Sequence, residues 1–359
     1  MLILGGGPAG AAAAIALARG GAAPLLVERT RETGDALCGG FLSWRTTAAL
    51  DALGIAADDL NPAPVTRVRL FAGTRHREAR LPAPARAVSR RRLDTLLLAR
   101  AEAVGVRIER GMTAREVDGR SVRFADGSAI TADALFLASG KHDVRGLARP
   151  AEARGADPTI GLRVRLAPSP SLTRLVDNTI ELHLVDRGYA GLVLQEDGSG
   201  NLCCAVHRSR LTEAGSPEAL LAAMGREVPA LGERLAHARG TVDAIANVPY
   251  GWRERGGEAG LFRLGDQAAV IPSLAGEGMG IAIASGTRAA AAYLGGGPAA
   301  AAGYQRGLAH DAARPLGVAG AVWRLAERPA LARVALAILP ARLIDVLARA
   351  TRIDHGREA

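Results

Sequence analysis

Aromatic residues and lysine are scarce in this sequence. Phe, Trp and Tyr make up 3% of the 359 residues, and Lys141 is the single lysine among 45 basic residues. Recognition of single-stranded nucleic acid depends on aromatic side chains interleaved with basic ones. The net charge of +9 is instead spread over scattered arginines, so nucleic-acid binding is not expected. Attraction for anionic cofactors or for a membrane surface is the favoured interpretation of this charge.

Cysteines and long apolar runs are also few. Cys38, Cys203 and Cys204 show neither metal-ligand spacing nor a disulfide framework, a pattern typical of free thiols in a reducing compartment. No apolar stretch is long enough to suggest a membrane-spanning helix. The first motif begins at Leu2 and leaves no room for a signal peptide, so a cytoplasmic location is expected.

The first 29 residues have the pattern of a βαβ dinucleotide-binding unit. An apolar run is followed by a glycine turn, an alanine-rich helix, a second apolar run and Glu28 at its end. In this pattern Gly5 permits a tight turn, Gly7 lets the backbone approach a pyrophosphate, and Gly10 allows the helix to pack closely on the strand. Glu28 is placed to accept hydrogen bonds from ribose hydroxyls. This disfavours NADP in the same pocket and leaves FAD and NAD as alternatives.

A second glycine-rich block lies at residues 261–287. It contains a strand, Asp266, a loop with Pro272 and several glycines, and a helix of small residues. A helix N-terminus approached through glycines stabilises negative charge on a ligand, and a carboxylate at a strand end can bind sugar-alcohol hydroxyls. The two blocks together predict that one long cofactor is bound at its two ends by distant parts of the sequence.

Alternating patterns between the blocks predict a second sheet. Residues 65–81 read as a hairpin that ends at Pro82, and residues 159–249 read mostly as antiparallel strands with one polar and one apolar face. Such a sheet is expected to form a floor for the substrate. His183 and His207 lie on its strands and are interpreted as surface or core histidines rather than as catalytic bases.

The segment from Ser89 to Gly140 is expected to return the chain to the first sheet. Ser89 is the candidate N-cap of an arginine-rich helix that ends near Val104. Two Asp-Gly turns then divide a three-stranded meander, and the apolar run 134–138 leads into Ser139-Gly140. An apolar strand that ends in this way is typical of a buried parallel sheet.

The two glycine blocks together resemble the FAD-dependent group that contains para-hydroxybenzoate hydroxylase, geranylgeranyl reductases and flavin-dependent halogenases. The resemblance covers residues 1 to about 295, and Cys38-Gly39-Gly40 and the run 276–286 look most like geranylgeranyl reductases. It implies that FAD is the cofactor, with Arg90 beside the flavin chain and Asp266 on the ribityl or ribose hydroxyls. The cofactor-binding residues predicted on this basis are Gly5, Gly7, Pro8, Ala9, Gly10, Glu28, Arg29, Cys38, Gly39, Arg90, Ser139, Gly140, Gly265, Asp266, Pro272, Gly276, Gly278, Met279 and Gly280.

Two departures from the family pattern bear on the reaction. Hydroxylases of the group usually have Asp-Gly where this chain has Ser139-Gly140, and Ser where it has Asp143, although Arg145 is kept. That motif is implicated in holding FAD and NAD(P)H, so the route of reduction is open, with NAD(P)H as the expected donor. The tryptophan motif of the halogenases is absent, and halogenation is therefore not expected.

The predicted function is an FAD-dependent oxidoreductase that acts on a hydrophobic prenyl, polyketide or aromatic small molecule. The preferred reaction is hydride transfer from reduced flavin to an alkene, with Cys38 as the catalytic residue that supplies the proton. A small packing thiol beside a tight turn is the simpler interpretation of Cys38. The alternative reactions are hydroxylation of an aromatic or polyketide substrate through a C4a-hydroperoxide and a non-redox cyclisation.

The predicted fold class is α/β, with a Rossmann-type FAD-binding domain, an interleaved antiparallel-sheet substrate domain and a helical C-terminus. The C-terminal helices are interpreted as a core-packing pair, and the alternative is a basic amphipathic lid that touches a membrane or a lipid-like substrate. The predicted boundaries are 1–64, 82–158 and 250–300 for the FAD-binding domain, 65–81 and 159–249 for the substrate domain, and 301–359 for the C-terminal helices.

Overall fold

A computed structural model describes residues 1–338 and 340–354. The predicted α/β fold is confirmed, since a parallel sheet, a second sheet and a helical C-terminal region are all present. The strands, in chain order, are β1 Leu2–Leu4, β2 Leu25–Glu28, β3 Phe41–Leu42, β4 Pro64–Ala72, β5 Arg75–Ala87, β6 Arg107–Arg110, β7 Ala114–Asp118, β8 Ser121–Phe124, β9 Ala129–Thr131, β10 Leu135–Leu137, β11 Thr159–Leu166, β12 Thr179–Val185, β13 Gly188–Leu194, β14 Gly200–His207, β15 Ala238–Val248 and β16 Leu261–Arg263.

Helices connect and cover these strands. The prediction that helices fill the C-terminal region is confirmed as far as residue 350, while residues 339 and 355–359 lie outside the described part of the chain. The helices are α1 Pro8–Arg19, α2 Trp44–Ala52, α3 Ala57–Leu60, α4 Arg90–Ala103, α5 Pro170–Val176, α6 Arg208–Ala214, α7 Pro217–Glu227, α8 Pro229–Leu235, α9 Gly278–Gly296, α10 Ala301–Ala326, α11 Pro329–Ile338 and α12 Ala341–Ala350. Among the described residues, no helix is both long and apolar enough to cross a bilayer.

The first sheet has the order β16-β10-β1-β2-β6, and its strands pair in parallel. Alternate side chains along β1 enter different cores, because successive residues of a strand point to opposite faces. Ile3 packs under α1, α4 and α9, whereas Leu2 and Leu4 pack against the meander β7-β8-β9. The carboxyl ends of the parallel strands therefore meet at one edge, where a ligand site is expected.

Helices α1 and α9 lie in close backbone contact above the first sheet. Ala11 to Ala14 are fully buried in α1. A side chain at Gly286 of α9 would come within 2.3 Å of the Ala9 carbonyl oxygen. The small residues of both glycine blocks thus let the two helices approach each other, and this contact brings the two blocks together.

The second sheet has the order β15-β11-β14-β13-β12-β4-β5-β3, and its neighbours are antiparallel except for β4 and β12. One face packs on α5, α7 and α8, and the other face packs on α10 and α11. The predicted end of the hairpin at Pro82 is wrong, because β5 continues to Ala87. Val65 pairs with Ala85 and Arg67 pairs with Arg80. Pro82 and Pro84 therefore fall in an irregular stretch of β5 whose residues lack partners in β4. Proline is tolerated there because no ladder hydrogen bond is lost.

Candidate functional site

The turn between β1 and α1 has the shape that its glycines predict. Gly5 has a φ of +108°, and a side chain there would lie 2.4 Å from the Ala138 carbonyl oxygen. A side chain at Gly10 would lie 1.9 Å from the carbonyl oxygen of Gly5. Helix α1 begins at Pro8 with Gly7 as its N-cap, and it has neither a side-chain cap nor an acidic residue in its first turn. Its first amide groups are thus left for an anionic ligand such as a pyrophosphate.

Glu28 lies at the carboxyl end of β2, beside this turn. Its carboxylate accepts hydrogen bonds from the Gly6 amide at 2.7 Å, from the Thr30 amide at 2.9 Å and from the Thr30 hydroxyl at 2.8 Å. These contacts fix the carboxylate at the edge of the glycine turn. The half-buried oxygens are therefore positioned to accept from ribose hydroxyls as well.

Arg90 supplies a fixed positive charge next to the same turn. Its guanidinium donates to Asp94 at 2.9 and 2.7 Å, and its Nη2 atom is 3.3 Å from the place where a side chain at Gly7 would begin. Burial opposes the charged form of Arg90, but the ion pair with Asp94 outweighs burial and raises the pKa of Arg90. Ser89 caps α4 as predicted, by accepting from the Arg92 amide.

The loops after β10 and β16 are tied to each other at the same sheet edge. Gln267 is fully buried, and its amide donates to the carbonyl oxygens of Gly140 at 2.8 Å and His142 at 3.0 Å. Lys141 lies 3.5 Å from Asp266, whose carboxylate raises the pKa of the lysine. These contacts place Ser139 and Gly140 beside Gly265 and Asp266 at the sheet edge.

Arg149 fixes the position of this loop pair. It donates to Asp143 at 2.8 Å, to the Lys141 carbonyl at 2.7 Å and to the Asp266 carbonyl at 2.9 Å. Burial and the cations Arg29, Lys141 and Arg149 lower the pKa of His142, so its imidazole is neutral near pH 7. Neither Arg149 nor Gln267 carries a motif signal, because each acts through contacts with residues that are distant in the sequence.

The loop from Pro272 to Gly280 leads into the N-terminus of α9. Gly276 has a φ of +64°, and a side chain there would lie 2.8 Å from the Phe41 ring. Glu277 precedes α9, yet its buried carboxylate is turned away from the helix amides to Arg352, and it accepts from Ser43 at 3.1 Å. Met279 and Gly280 are buried, whereas Gly278 is exposed, and a side chain there would begin with no atom within 4 Å of it. The uncapped start of α9 is thus open on one side.

Cys38 and Gly39 lie between the two sheets. The Cys38 carbonyl accepts from the Asn201 amide at 2.9 Å and from the Cys203 thiol at 3.0 Å, which anchors this loop on β14. Burial raises the pKa of Cys203, so its thiol remains protonated and can donate. Cys38 itself is half-buried, and Gly39 next to it is exposed.

An aromatic cluster borders the loop that contains Ser273. The Ser273 hydroxyl is hydrogen-bonded to Tyr189 at 2.7 Å and to Tyr250, and the Trp323 ring meets both tyrosine rings edge-on with centroids 5.7 Å apart. Burial raises the pKa of both tyrosines, so their hydroxyls are neutral. Tyr250 follows the end of β15, whereas Tyr189, Ser273 and Trp323 come from distant parts of the sequence and join it only through the fold.

Other predicted residues take different positions. Arg29 is exposed, and its guanidinium lies 3.0 Å from His142 rather than against the glycine turn, so its cofactor role remains a prediction. His183 is buried against Glu181 at 3.2 Å, and His207 is 3.0 Å from Glu327. Both histidines therefore have carboxylate partners, although the buried Nδ1 atom of His183 has no hydrogen-bond partner among the described residues.

Comparison with known proteins identifies a domain family and a shared fold. Residues 1–145 match the family model FAD_binding_3, described as an FAD binding domain. Among proteins with curated descriptions, none matches this chain in sequence. Solved structures with the same fold include PqsL, a probable FAD-dependent monooxygenase from Pseudomonas aeruginosa, the flavin-dependent brominase Bmp2, and a flavoprotein/dehydrogenase from Cytophaga hutchinsonii. These three are 16 to 19% identical to this chain.

The similarity to these structures extends over nearly the whole chain. PqsL has a TM-score of 0.71, with 93% of this chain and 98% of PqsL covered at 19% identity. Bmp2 has a TM-score of 0.75, with 98% and 94% covered at 16% identity. The Cytophaga protein has a TM-score of 0.79, with 97% and 92% covered at 16% identity. This chain thus shares its fold with these three structures over nearly its whole length. Residues 1–145 of this chain also match the FAD binding domain family.

Proposed function

We propose that this protein is an FAD-dependent monooxygenase that acts on an aromatic or polyketide small molecule. The observation that carries the proposal is the FAD binding domain at residues 1–145, joined to a second sheet in the arrangement also found in PqsL. A PqsL structure contains 2-aminobenzoylacetate, an aromatic compound, and this supports an aromatic substrate. Alkene reduction has less support, because no structure described above is named as a prenyl reductase.

The residues at the sheet edge fit FAD. The glycine turn and the uncapped N-terminus of α1 would receive the pyrophosphate, with Arg90 as its nearest fixed cation. Glu28 would accept from ribose hydroxyls at one end, and Asp266 and the start of α9 would contact the flavin half at the other. Bound FAD would supply the redox chemistry, by passing electrons to molecular oxygen.

The aromatic cluster is the proposed substrate wall. Tyr250 is half-buried and Ser273 is exposed, so these two can meet a substrate, while Tyr189 and Trp323 are buried behind them and hold them in place. Such a surface suits a flat substrate that carries a polar substituent. The wall borders the Pro272–Gly280 loop, so a molecule that rests on it would lie close to the flavin half of the site.

A nicotinamide nucleotide is the proposed electron donor. A cleft of about 230 Å³ beside the cofactor loops is lined by Lys141, His142, Arg149 and Arg154. Asp143 is its one acidic lining residue, and it is engaged by Arg149 at 2.8 Å and Arg154 at 3.7 Å. The resulting positive charge would favour an anionic donor such as NAD(P)H.

The test begins with the purified protein loaded with FAD. The flavin is reduced under anaerobic conditions, either chemically or with NADH or NADPH, and then exposed to isotopically labelled oxygen with a panel of aromatic and polyketide acids. We expect labelled oxygen in a product. Anaerobic turnover of an alkene, with no incorporation of oxygen into any substrate, would instead support the reductase.

Alkene reduction is the second candidate because of Cys38. Its carbonyl is anchored on β14 by Asn201 and Cys203, and its side chain is half-buried between the cofactor loops and the second sheet. A thiol in this position could deliver a proton to a substrate carbon. The resemblance of Cys38-Gly39-Gly40 to geranylgeranyl reductases supports the same reaction.

A further inference from the structure

Large exposed apolar side chains are concentrated on the C-terminal helices. Of the seven found in the described chain, Leu294 is the only one outside residues 325–346. Ile338 is 77% exposed, Val334 is 59% exposed and Val346 is 54% exposed. The C-terminal surface, as we name it, consists of the exposed apolar residues of α11 and α12, which are Leu331, Val334, Ile338, Leu343 and Val346.

Helices α11 and α12 present this surface to the same side of the molecule. Leu336 of α11 packs with Ala72, and Ile344 of α12 packs with Val68. Val68 and Ala72 are four residues apart on β4, so their side chains point to the same face of the sheet. Both helices therefore cover one sheet face with their inner sides, and their outer sides face away from the sheet together.

Exposed arginines flank the apolar side chains. Arg324, Arg328, Arg333, Arg342 and Arg349 are all exposed. Residues 321–354 contain three acidic residues, and two of these, Glu327 and Asp345, contact His207 and Arg349. The sixth arginine of this range, Arg352, is buried against Glu277 and adds nothing to the surface charge. Long arginine side chains can keep their charge in water while their stems lie along apolar surface. The surface thus combines apolar contact area with an excess of positive charge.

We propose that the C-terminal surface docks on a membrane that contains anionic lipids. Apolar side chains ringed by arginines fit the boundary between acyl chains and acidic headgroups. A second copy of the chain is a poorer occupant, because a twofold contact would place the same arginines against each other. The proposal goes beyond the proposed reaction, since it depends on α11 and α12 and not on the flavin.

The test measures the binding of the full chain, loaded with FAD, to sedimented vesicles. One set of vesicles is phosphatidylcholine alone, and the other contains equal parts of phosphatidylcholine and phosphatidylglycerol. We expect binding to the anionic vesicles that weakens as salt is added, because the arginine contribution is screened. The proposal would be overturned if the fraction of protein left in the supernatant were the same with the anionic vesicles as with phosphatidylcholine alone.

Variants identify the surface responsible. Replacing Val334, Ile338 and Val346 by serine together should weaken binding to anionic vesicles by about tenfold or more. Arg333→Gln and Arg342→Gln should each weaken it by about fivefold. Leu294→Ser and Arg115→Gln are matched controls, because both residues are exposed outside this surface.

Folding is checked by the thermal midpoint and the flavin spectrum of each variant. All of these substitutions are at exposed positions, so both readouts should match those of the wild type. If Leu294→Ser and Arg115→Gln weakened binding as much as the substitutions on the C-terminal surface do, the proposal would be overturned. A wild-type dimer in solution that the triple serine variant converts to a monomer would also overturn it, because a second copy would then occupy the surface.

Discussion

Arg352 forms a buried ion pair with Glu277, the residue that immediately precedes α9. The Arg352 guanidinium also lies over the Trp44 ring, with its central carbon 5.1 Å from the ring centroid. The Ile353 amide donates to the other oxygen of Glu277 at 3.2 Å. Residues that follow α12 thus support the Pro272–Gly280 loop, which is proposed to lie beside the flavin.

Replacing Arg352 should destabilise the protein through Glu277. Arg352→Met would leave a buried carboxylate without its cation, which costs about 3 to 5 kcal/mol of unfolding free energy. Urea denaturation would measure this loss. The double variant Arg352→Met/Glu277→Gln should recover part of it, because no buried charge is left unpaired, and Arg349→Met at an exposed position is the control. An equally unstable double variant would contradict this explanation.

A second buried ion pair predicts sensitivity to acid. Glu181 is fully buried, and although burial opposes its ionisation, hydrogen bonds from His183 and Arg234 outweigh burial and lower its pKa. The stability that it contributes is present above the carboxyl pKa of the unfolded chain and is lost as the pH falls toward the lower pKa of the folded state.

Glu181→Gln should therefore be less stable at neutral pH and should show a flatter dependence of unfolding free energy on pH below about 4.5. The variant loses two charged contacts to Arg234, each 3.0 Å long, and one to Arg69 at 2.9 Å. Denaturation at a series of pH values would measure both effects. Glu102→Gln, at an exposed position, should leave the curve unchanged.

Binding of FAD should depend on Gly10 and Asp266. Gly10→Val would drive a side chain into the Gly5 carbonyl, which lies 1.9 Å from the position of its first carbon, and should abolish FAD binding. Asp266→Ala would leave flavin or ribose hydroxyls unpaired, at a cost of about 1 to 3 kcal/mol. Flavin absorbance after gel filtration would measure both losses. Gly303→Ala is the control, because that glycine has open space around it.

Cys38 separates the two candidate reactions. Cys38→Ser keeps the size of the side chain and should retain FAD, whereas Cys38→Ala should lower the rate of alkene reduction by about 10²-fold if the thiol is the acid. The pH dependence of the rate should change as well. If both Cys38 variants reduced an alkene at the wild-type rate, the thiol would have a packing role only. The rate of hydroxylation should be little affected by either substitution.

Local patterns carried most of what could be predicted. The glycine turn, the Ser89 cap and the meander depend on neighbouring residues, and each leaves a pattern in a short window of sequence. The end of β5 was predicted wrongly because two prolines usually stop a strand, and the irregular pairing that accommodates them depends on β4. Gln267, Arg149 and Arg352 were missed as supports of the site because their partners lie far away in the sequence.

The pairing of Arg352 with Glu277 also imposes an order on biosynthesis. A chain emerging from the ribosome can form the βαβ unit early, since its strands and α1 are contained in the first 28 residues. Glu277 cannot form its buried ion pair until residue 352 has been made. In a nascent chain, the loop that leads into α9 would therefore gain this support only after synthesis had passed α12.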